Sequence, residues 1–289
     1  MSNQFFIFKY SVIGLFFFIF SNSSKAQTQM EPLKTSGYAP VNGIKMYYET
    51  YGNGDIPLVL VHGGGSTIET SFSAILPLLA VHGKVIAVEL QAHGRTSDRN
   101  AAESFTQDAD DVAALLKYLK VGKANFLGFS NGGSTVLQIA IRHPLITNKI
   151  IPISAAYRRD GLIAGFFDGM QLATIDNMPA QLKTAFLKVN PDPNKLLTMF
   201  NKDKDRMITF KDWPDEELKA IKAPTLVMVA DQDVITIEHS SKLAKLIPNA
   251  QLTVLPGIHG SFIGEICTAK PGSKLPTITV DLIIDFLKE

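Results

Sequence analysis

The part of this sequence best suited to covalent chemistry is a serine placed between two glycines. An apolar run leads into Gly128-Phe129-Ser130-Asn131-Gly132, and a helical pattern follows. Because Gly128 and Gly132 have no Cβ, the chain can make a tight, strained strand-to-helix turn with Ser130 exposed at its tip. The N-terminus of the following helix directs free N–H groups towards negative charge beside the serine. The pattern predicts a nucleophilic serine.

A serine hydroxyl needs a base to accept its proton and a carboxylate to orient that base. Both residue types follow later apolar runs: Asp231 and Asp233 come after the run at 225–229, and His259 follows the run at 251–255. If these runs are parallel strands, their ends share one sheet edge with Ser130. We therefore predict Ser130 as nucleophile, His259 as base, and either Asp231 or Asp233 as the orienting acid.

Five other histidines compete with His259 for the role of base. Three of them are expected at helix ends, where an imidazole commonly meets free backbone groups: His82, His143 and His239. His93 lies in a loop near the predicted site and stays an alternative, whereas His62 is expected to brace its own loop. His259 is favoured because it follows a late strand, has glycines close on both sides, and has an acidic candidate one strand earlier.

Acyl transfer also needs N–H donors for the oxyanion that forms on the carbonyl. The glycine-rich segment His62-Gly63-Gly64-Gly65 follows the apolar run at 57–61. We predict the backbone N–H of Gly64 as one donor and that of Asn131 as the other. The alternative is a plain glycine-rich turn at a strand end.

Most of the chain alternates between strand-like and helix-like segments. Unbroken apolar runs at 57–61, 85–88, 150–153 and 225–229 are typical of strands buried on both faces. A stretch at 157–217 breaks this alternation, carrying helical patches and no convincing buried strand. We predict an α/β core at 27–156 and 218–289, with 157–217 as a helical cap over the carboxyl ends of the strands.

Residues 1–26 have the pattern of a secretory signal peptide. Lys9 precedes an apolar run that is too short to span a bilayer, and small residues occupy the positions that signal peptidase requires. We expect cleavage after Ala26, export to the periplasm or medium, and no stable membrane association afterwards; an uncleaved anchor is the alternative.

Charge and cysteine content exclude several classes of protein. The 28 basic and 27 acidic residues are balanced, which gives no indication of a nucleic-acid partner. Cys267 is the only cysteine, so neither an internal disulfide nor a metal site built from several thiolates is available. We expect no metal and no organic cofactor, and the sequence leaves the oligomeric state open.

The serine turn, the His62-Gly63 loop, Asp233 and His259 together resemble the α/β-hydrolase superfamily over nearly the whole mature chain. The segment 89–98 is similar to that family's D-x-x-G-x-G-x-S loop, with Glu89 and Ala92 as departures. The resemblance implies an eight-stranded, mostly parallel sheet, and it favours Asp233 over Asp231. Small capped esterases and lactonases of the 3-oxoadipate enol-lactonase type are the most similar group, and secreted esterases that open macrolactone antibiotics are a further candidate.

The resemblance implies hydrolysis of a small-molecule ester or lactone through an acyl-enzyme, with the cap choosing the substrate. Residues expected near the acyl group or a substrate carboxylate are Phe129, Tyr157, Arg158, Arg159 and Trp213, together with the apolar run at 162–167. For the arginines, surface pairing with Asp160 is the alternative.

Two other functions remain open at this point. An amide or peptide hydrolase of the same fold could use Asp160, Asp168 or Asp176 to hold a free amine. A non-catalytic ligand-binding protein is the more remote alternative.

Overall fold

The computed structural model describes Met1 and residues 34–289. The strands of this part are β1 (Lys34–Val41), β2 (Ile44–Tyr51), β3 (Leu58–Val61), β4 (Val85–Val88), β5 (Ala124–Phe129), β6 (Thr147–Ile153), β7 (Thr225–Gln232) and β8 (Ala250–Ile258). Its α-helices are α1 (Ile68–Phe72), α2 (Leu76–Ala80), α3 (Phe105–Tyr118), α4 (Asn131–Arg142), α5 (Phe166–Leu172), α6 (Ala180–Val189), α7 (Pro193–Ile208), α8 (Asp215–Lys219), α9 (Ile237–Leu246) and α10 (Leu275–Lys288).

The eight strands form one sheet in the order β1-β2-β4-β3-β5-β6-β7-β8. Strands β3 to β8 run parallel to one another, whereas β2 is antiparallel to both β1 and β4. The predicted eight-stranded, mostly parallel sheet is confirmed. Strand β1 was not predicted, because Gly37 and Pro40 are residue types depleted in strands and no apolar run marks the segment.

Helices cover both faces of the sheet, as the unbroken apolar strands predict. In β3, Val59 and Val61 pack in the core on the side of α3, α4 and α9, whereas Leu58 and Leu60 pack on the side of α1, α2 and α10. Each side chain of β3 therefore enters an apolar layer, and burial of this kind stabilises the fold by about 25 cal/mol for each Å² removed from water. The two layers hold the carboxyl ends of the strands in fixed positions.

Helices α5 to α8 lie between β6 and β7 in the chain. An isolated antiparallel bridge pairs Leu162, near the start of this segment, with Ile235 in the loop after β7. The domain boundaries set out above stay predictions. The expected signal peptide at 1–26 lies, apart from Met1, outside the described residues. Among the described helices, none is both long and apolar enough to cross a membrane.

Candidate active site

Ser130 occupies a strained turn between β5 and α4. Its backbone has φ 55° and ψ −119°, in the positive-φ region that side chains other than glycine rarely enter. The turn is held from both sides, since the Ser130 N–H donates to the Ile153 carbonyl (2.9 Å) and the Ser134 N–H donates to the Ser130 carbonyl (3.1 Å). The surrounding backbone therefore fixes the serine at the carboxyl edge of the sheet.

The flanking glycines are required by close backbone contacts. A Cβ on Gly128 would collide with the Gly132 carbonyl, and a Cβ on Gly132 would collide with the Val61 carbonyl. Both obstacles are backbone atoms of the sheet and helix, so they cannot move aside as a flexible side chain could.

Gly128→Ala should destabilise the protein by about 2 kcal/mol or more, because the new methyl overpacks this backbone contact. Gly122→Ala is the matched control, since nothing lies within 4 Å of a Cβ built there, and we expect its free energy of unfolding to change by less than about 1 kcal/mol. Urea unfolding of the two variants measures the difference. Equal stabilities would contradict the steric account of the turn.

The structure brings Ser130, His259 and Asp233 into one hydrogen-bonded chain. His259 Nε2 lies 3.0 Å from Ser130 Oγ, and His259 Nδ1 lies 2.7 Å from Asp233 Oδ1. The Asp233 side chain is fully buried, whereas that of His259 is 27% exposed. This geometry lets the imidazole accept the serine proton while the carboxylate orients the ring.

The environment of Asp233 favours its ionised form. Burial alone would raise the pKa of this carboxyl, but hydrogen bonds from His259, Ser154 and the Ile235 N–H outweigh it and lower the pKa. Asp231 is turned elsewhere, because its Oδ1 accepts the Gly257 N–H at 2.7 Å. Of the two acids that the sequence left open, only Asp233 faces His259.

Ser154 is a site residue that sequence reasoning missed. It follows β6 with φ 51°, lines the cavity beside Ser130, and its Oγ donates to Asp233 Oδ2 at 2.6 Å. The signal available in the sequence was its position directly after a buried strand, the same relation that identified Asp233 and His259.

The predicted oxyanion donors, Gly64 and Asn131, both line the cavity beside Ser130. The peptide that carries the Gly64 N–H is oriented by His62, whose Nδ1 lies 2.7 Å from the Gly63 carbonyl. His62 Nε2 accepts the Leu90 N–H at 3.0 Å, so the ring proton is on Nδ1. Since the C=O and N–H of a trans peptide point in opposite directions, holding this carbonyl fixes the direction of the N–H.

His62 and His93 are both buried, but they differ in charge. Burial and the nearby charge of His93 lower the pKa of His62 to about 3, so it is neutral. Burial would also lower the pKa of His93. The charge of Asp203 and a 2.9 Å hydrogen bond to Asp203 outweigh burial, however, and raise the pKa of His93 to about 9. A protonated, paired His93 is not available as a base, so His259 is the histidine placed to act on Ser130.

A cavity of about 370 Å³ opens above the serine. Its floor comes from the core and most of its walls come from the helices between β6 and β7. Side chains between β6 and β7 that line it are predominantly apolar: Leu162, Phe166, Met170, Ala173, Met178, Pro179, Leu182, Met199, Phe200 and Met207, together with the polar Asn177, Asp203 and Lys204.

Leu162 and Phe166, from the run at 162–167, line this cavity, whereas the five other residues expected to contact substrate do not. Tyr157 is fully buried and stacks on His239, with ring centroids 4.5 Å apart. Trp213 packs edge-on against Phe105. Phe129 lies behind the site, where its ring centroid is 4.7 Å from that of His259 and supports the imidazole.

The two arginines are also directed away from the cavity. Arg158 pairs with Asp160 and Asp212, each at 3.2 Å, which is the alternative that the sequence had left open. The Arg159 guanidinium lies 3.5 Å from the centroid of the Phe167 ring. The expected carboxylate contact is corrected accordingly, because sequence position after a strand does not determine which way a side chain points.

Comparison with known proteins agrees with this fold. A family model described as alpha/beta hydrolase fold matches residues 56–186. The chain is 25% identical over 273 residues to a bifunctional esterase/perhydrolase of Acinetobacter calcoaceticus, which covers 84% of this chain and 96% of that protein.

Two solved structures illustrate the likeness in three dimensions. An enol-lactonase from Burkholderia xenovorans superimposes with a TM-score of 0.67 at 23% identity, covering 87% of this chain and 100% of that one. A meta-cleavage product hydrolase from Pseudomonas fluorescens gives a TM-score of 0.72 at 21% identity, covering 88% and 97%. The sheet topology, the serine turn and these matches show that the chain has the α/β-hydrolase fold.

Proposed function

We propose that this protein is a serine-dependent hydrolase of carboxylic esters or lactones that works through an acyl-enzyme. The observation that carries the proposal is the chain of hydrogen bonds Ser130–His259–Asp233 at the floor of an apolar cavity. The full-length similarity to an esterase/perhydrolase supports the same chemistry.

In the first step His259 Nε2 removes the Ser130 proton as Oγ attacks the substrate carbonyl. The carbonyl oxygen becomes an oxyanion, which the N–H groups of Gly64 and Asn131 stabilise. The tetrahedral intermediate collapses, the C–O bond to the alcohol breaks, and His259 returns its proton to the leaving alkoxide. In a lactone this alcohol stays attached to the acyl chain.

In the second step a water molecule replaces the alcohol. His259 accepts a proton from the water, which attacks the acyl carbonyl, and the same donors hold the second oxyanion. Collapse breaks the bond to Ser130 Oγ and returns the proton to it. The product is a carboxylic acid, or a hydroxy acid when the substrate is a lactone.

The cavity lining supports an apolar substrate of small to medium size. Four of its residues are the methionines Met170, Met178, Met199 and Met207, whose unbranched side chains adapt to irregular shapes. Volumes of this order suit drug-sized molecules. Aliphatic esters, lactones and the ester of a macrolactone antibiotic are therefore the classes to compare.

Cleavage of an amide with a free amine is less well supported. Asp160, Asp168 and Asp176 are not among the cavity-lining residues, and Asp203, which is, already pairs with Arg206 and His93. An ammonium group would find no uncommitted carboxylate among the lining residues. An aligned serine, histidine and aspartate also favours catalysis over simple ligand binding.

The test is a comparison of the purified protein on matched substrates: 4-nitrophenyl esters, aliphatic lactones, a macrolactone, and the 4-nitroanilides of the same acyl groups. We expect kcat/KM for the best ester or lactone to exceed that for every anilide by at least about 100-fold. Higher activity on the anilides would replace the proposal with amide hydrolysis.

Met170→Trp should narrow the cavity and discriminate by substrate size. We expect kcat/KM for a 4-nitrophenyl octanoate to fall about 10-fold, while that for the acetate changes less than about 2-fold, because the larger ring fills space that only the longer chain needs. Leu172→Trp is the control, since Leu172 lies on the same helix but is 78% exposed. Equal losses on both esters in Met170→Trp would contradict this view of the cavity.

We also propose, from the N-terminal pattern alone, that the protein is exported. Sequencing the N-terminus of the protein from its native cells should give Gln27 as the first residue. An intact Met1 or Ser2 terminus would contradict export by cleavage.

A further inference from the structure

Asp203 is a buried carboxylate that the mechanism above does not use. It lies on α7, in the helical segment between β6 and β7, and the residue is only 8% exposed. Its Oδ2 accepts the Gly65 N–H and lies 2.9 Å from His93 Nε2, and its Oδ1 accepts from Arg206. One carboxylate on α7 thus contacts two separate loops of the core and a neighbour on its own helix.

Two of these contacts are next to the predicted oxyanion donors. Gly65 directly follows Gly64, so the bond to Asp203 fixes the peptide on the carboxyl side of that donor. On the other side, Asn131 Nδ2 lies 3.4 Å from Asp203 Oδ1. A Cβ built on Gly64 would be 2.5 Å from Asn131 Nδ2 and 3.2 Å from Asp203 Oδ2, so the ends of both side chains pack directly against Gly64.

The charge of Asp203 is compensated by His93 and Arg206, which do not line the cavity. Burial opposes its ionisation, but the charges of Arg206 and His93 and the bonds they donate hold its pKa well below the usual range. Arg206 is itself anchored by Asp108 at 2.7 Å. Because an uncompensated carboxylate here would repel an oxyanion, this pairing lets Asp203 accept hydrogen bonds without opposing the reaction.

We propose that Asp203 is a positioning residue that ties α7 to the oxyanion loop, so that the donors on Gly64 and Asn131 are aligned only while α7 is docked on the core. The inference deepens the proposed function and rests on it. Asp203 does not contact the reacting atoms; it acts through the Gly64-Gly65 backbone and the Asn131 side chain. Replacing one of its acceptor oxygens with a donor opposes the donors that face Asp203, and the loop is then free to rotate its N–H groups away from the oxyanion.

The experiment compares wild type with Asp203→Asn, using Asp108→Asn as the matched control. Asp108 is buried in the same charge network but bonds to Arg206 and not to Gly65 or Asn131. Three quantities are measured: the melting temperature, kcat and KM on a 4-nitrophenyl ester, and the ratio of kcat/KM for that ester to its thionoester. Sulfur is a weak hydrogen-bond acceptor, so this ratio reports on aligned oxyanion donors.

We expect Asp203→Asn to lower kcat about 10-fold to 100-fold with KM within about 3-fold, and to lower the ester-to-thionoester ratio. Asp108→Asn should keep kcat and the ratio within about 3-fold of wild type. If Asp203→Asn shows no cooperative melting, Asp203→Ser, whose smaller side chain avoids crowding of the donors, is judged by the same criteria.

Three results would overturn the inference. The first is an unchanged kcat in the folded Asp203 variant, and the second is a rise in KM of that variant with no change in kcat. The third is a loss of kcat and of the ester-to-thionoester ratio in Asp108→Asn as large as that in the Asp203 variant. The proposed function fails separately, and the inference with it, if wild type turns over no ester at all.

Discussion

Ser130→Ala is expected to lower kcat for ester hydrolysis by about 10⁴-fold or more, because alanine has no oxygen with which to form the acyl-enzyme. The fold should be retained, since the turn is held by backbone hydrogen bonds and the glycines that flank it rather than by the serine hydroxyl. The measurement is kcat on the preferred ester, together with the melting temperature of each protein.

Ser240→Ala controls for the loss of a buried hydroxyl. Ser240 lies on α9 and is 1% exposed, and it lies outside the cavity lining. Its variant should keep kcat within about 2-fold of wild type. Ester turnover by Ser130→Ala at more than a few percent of the wild-type rate would contradict the role of this serine.

Asp233→Asn is expected to lower kcat by about 10⁴-fold, the loss known for this change in a serine protease with the same three residue types. The neutral amide can neither stabilise the imidazolium nor hold the ring tautomer that leaves Nε2 free for the serine. Binding should change little, because Asp233 lies behind His259 and does not line the cavity. The loss should therefore appear in kcat and only weakly in KM.

Asp231→Asn is the matched control from the same loop. Asp231 accepts the Gly257 N–H and does not face His259, so we expect kcat within about 3-fold of wild type. If Asp231→Asn lost activity and Asp233→Asn kept it, the assignment of the acid would be reversed.

The nucleophile turn and the order of the three residues could be predicted because they depend on local sterics and on strand order. The residues alone left the choice between Asp231 and Asp233 open, and only the resemblance to the α/β hydrolases favoured Asp233, which is the acid that faces His259. Both residues lie at the end of β7, where the pairing with β8 shifts register between Ala230 and Gln232. At such an irregularity the side chains no longer alternate regularly between the two faces of the sheet. Only the folded geometry therefore shows which carboxylate turns towards His259.

Most of the substrate cavity could not be predicted for a related reason. The run at 162–167 was expected near the acyl group, and Leu162 and Phe166 do line the cavity, but the rest of its wall comes largely from methionines that in the sequence are indistinguishable from ordinary helix packing. Asp203 was also missed, since it lies in the charged run Lys202 to Arg206, which is typical of a solvated helix face. Only the docking of α7 on the core turns this carboxylate towards Gly65.

An activated Ser130 should react with a fluorophosphonate, which forms a stable bond to a nucleophilic serine. The purified protein is treated with the probe, its intact mass is measured, and the modified peptide is mapped. We expect one added phosphonyl group on Ser130, no labelling of Ser130→Ala, and labelling of Asp233→Asn slowed by orders of magnitude. An unlabelled wild-type protein, or a label on any residue other than Ser130, would contradict the activation of Ser130.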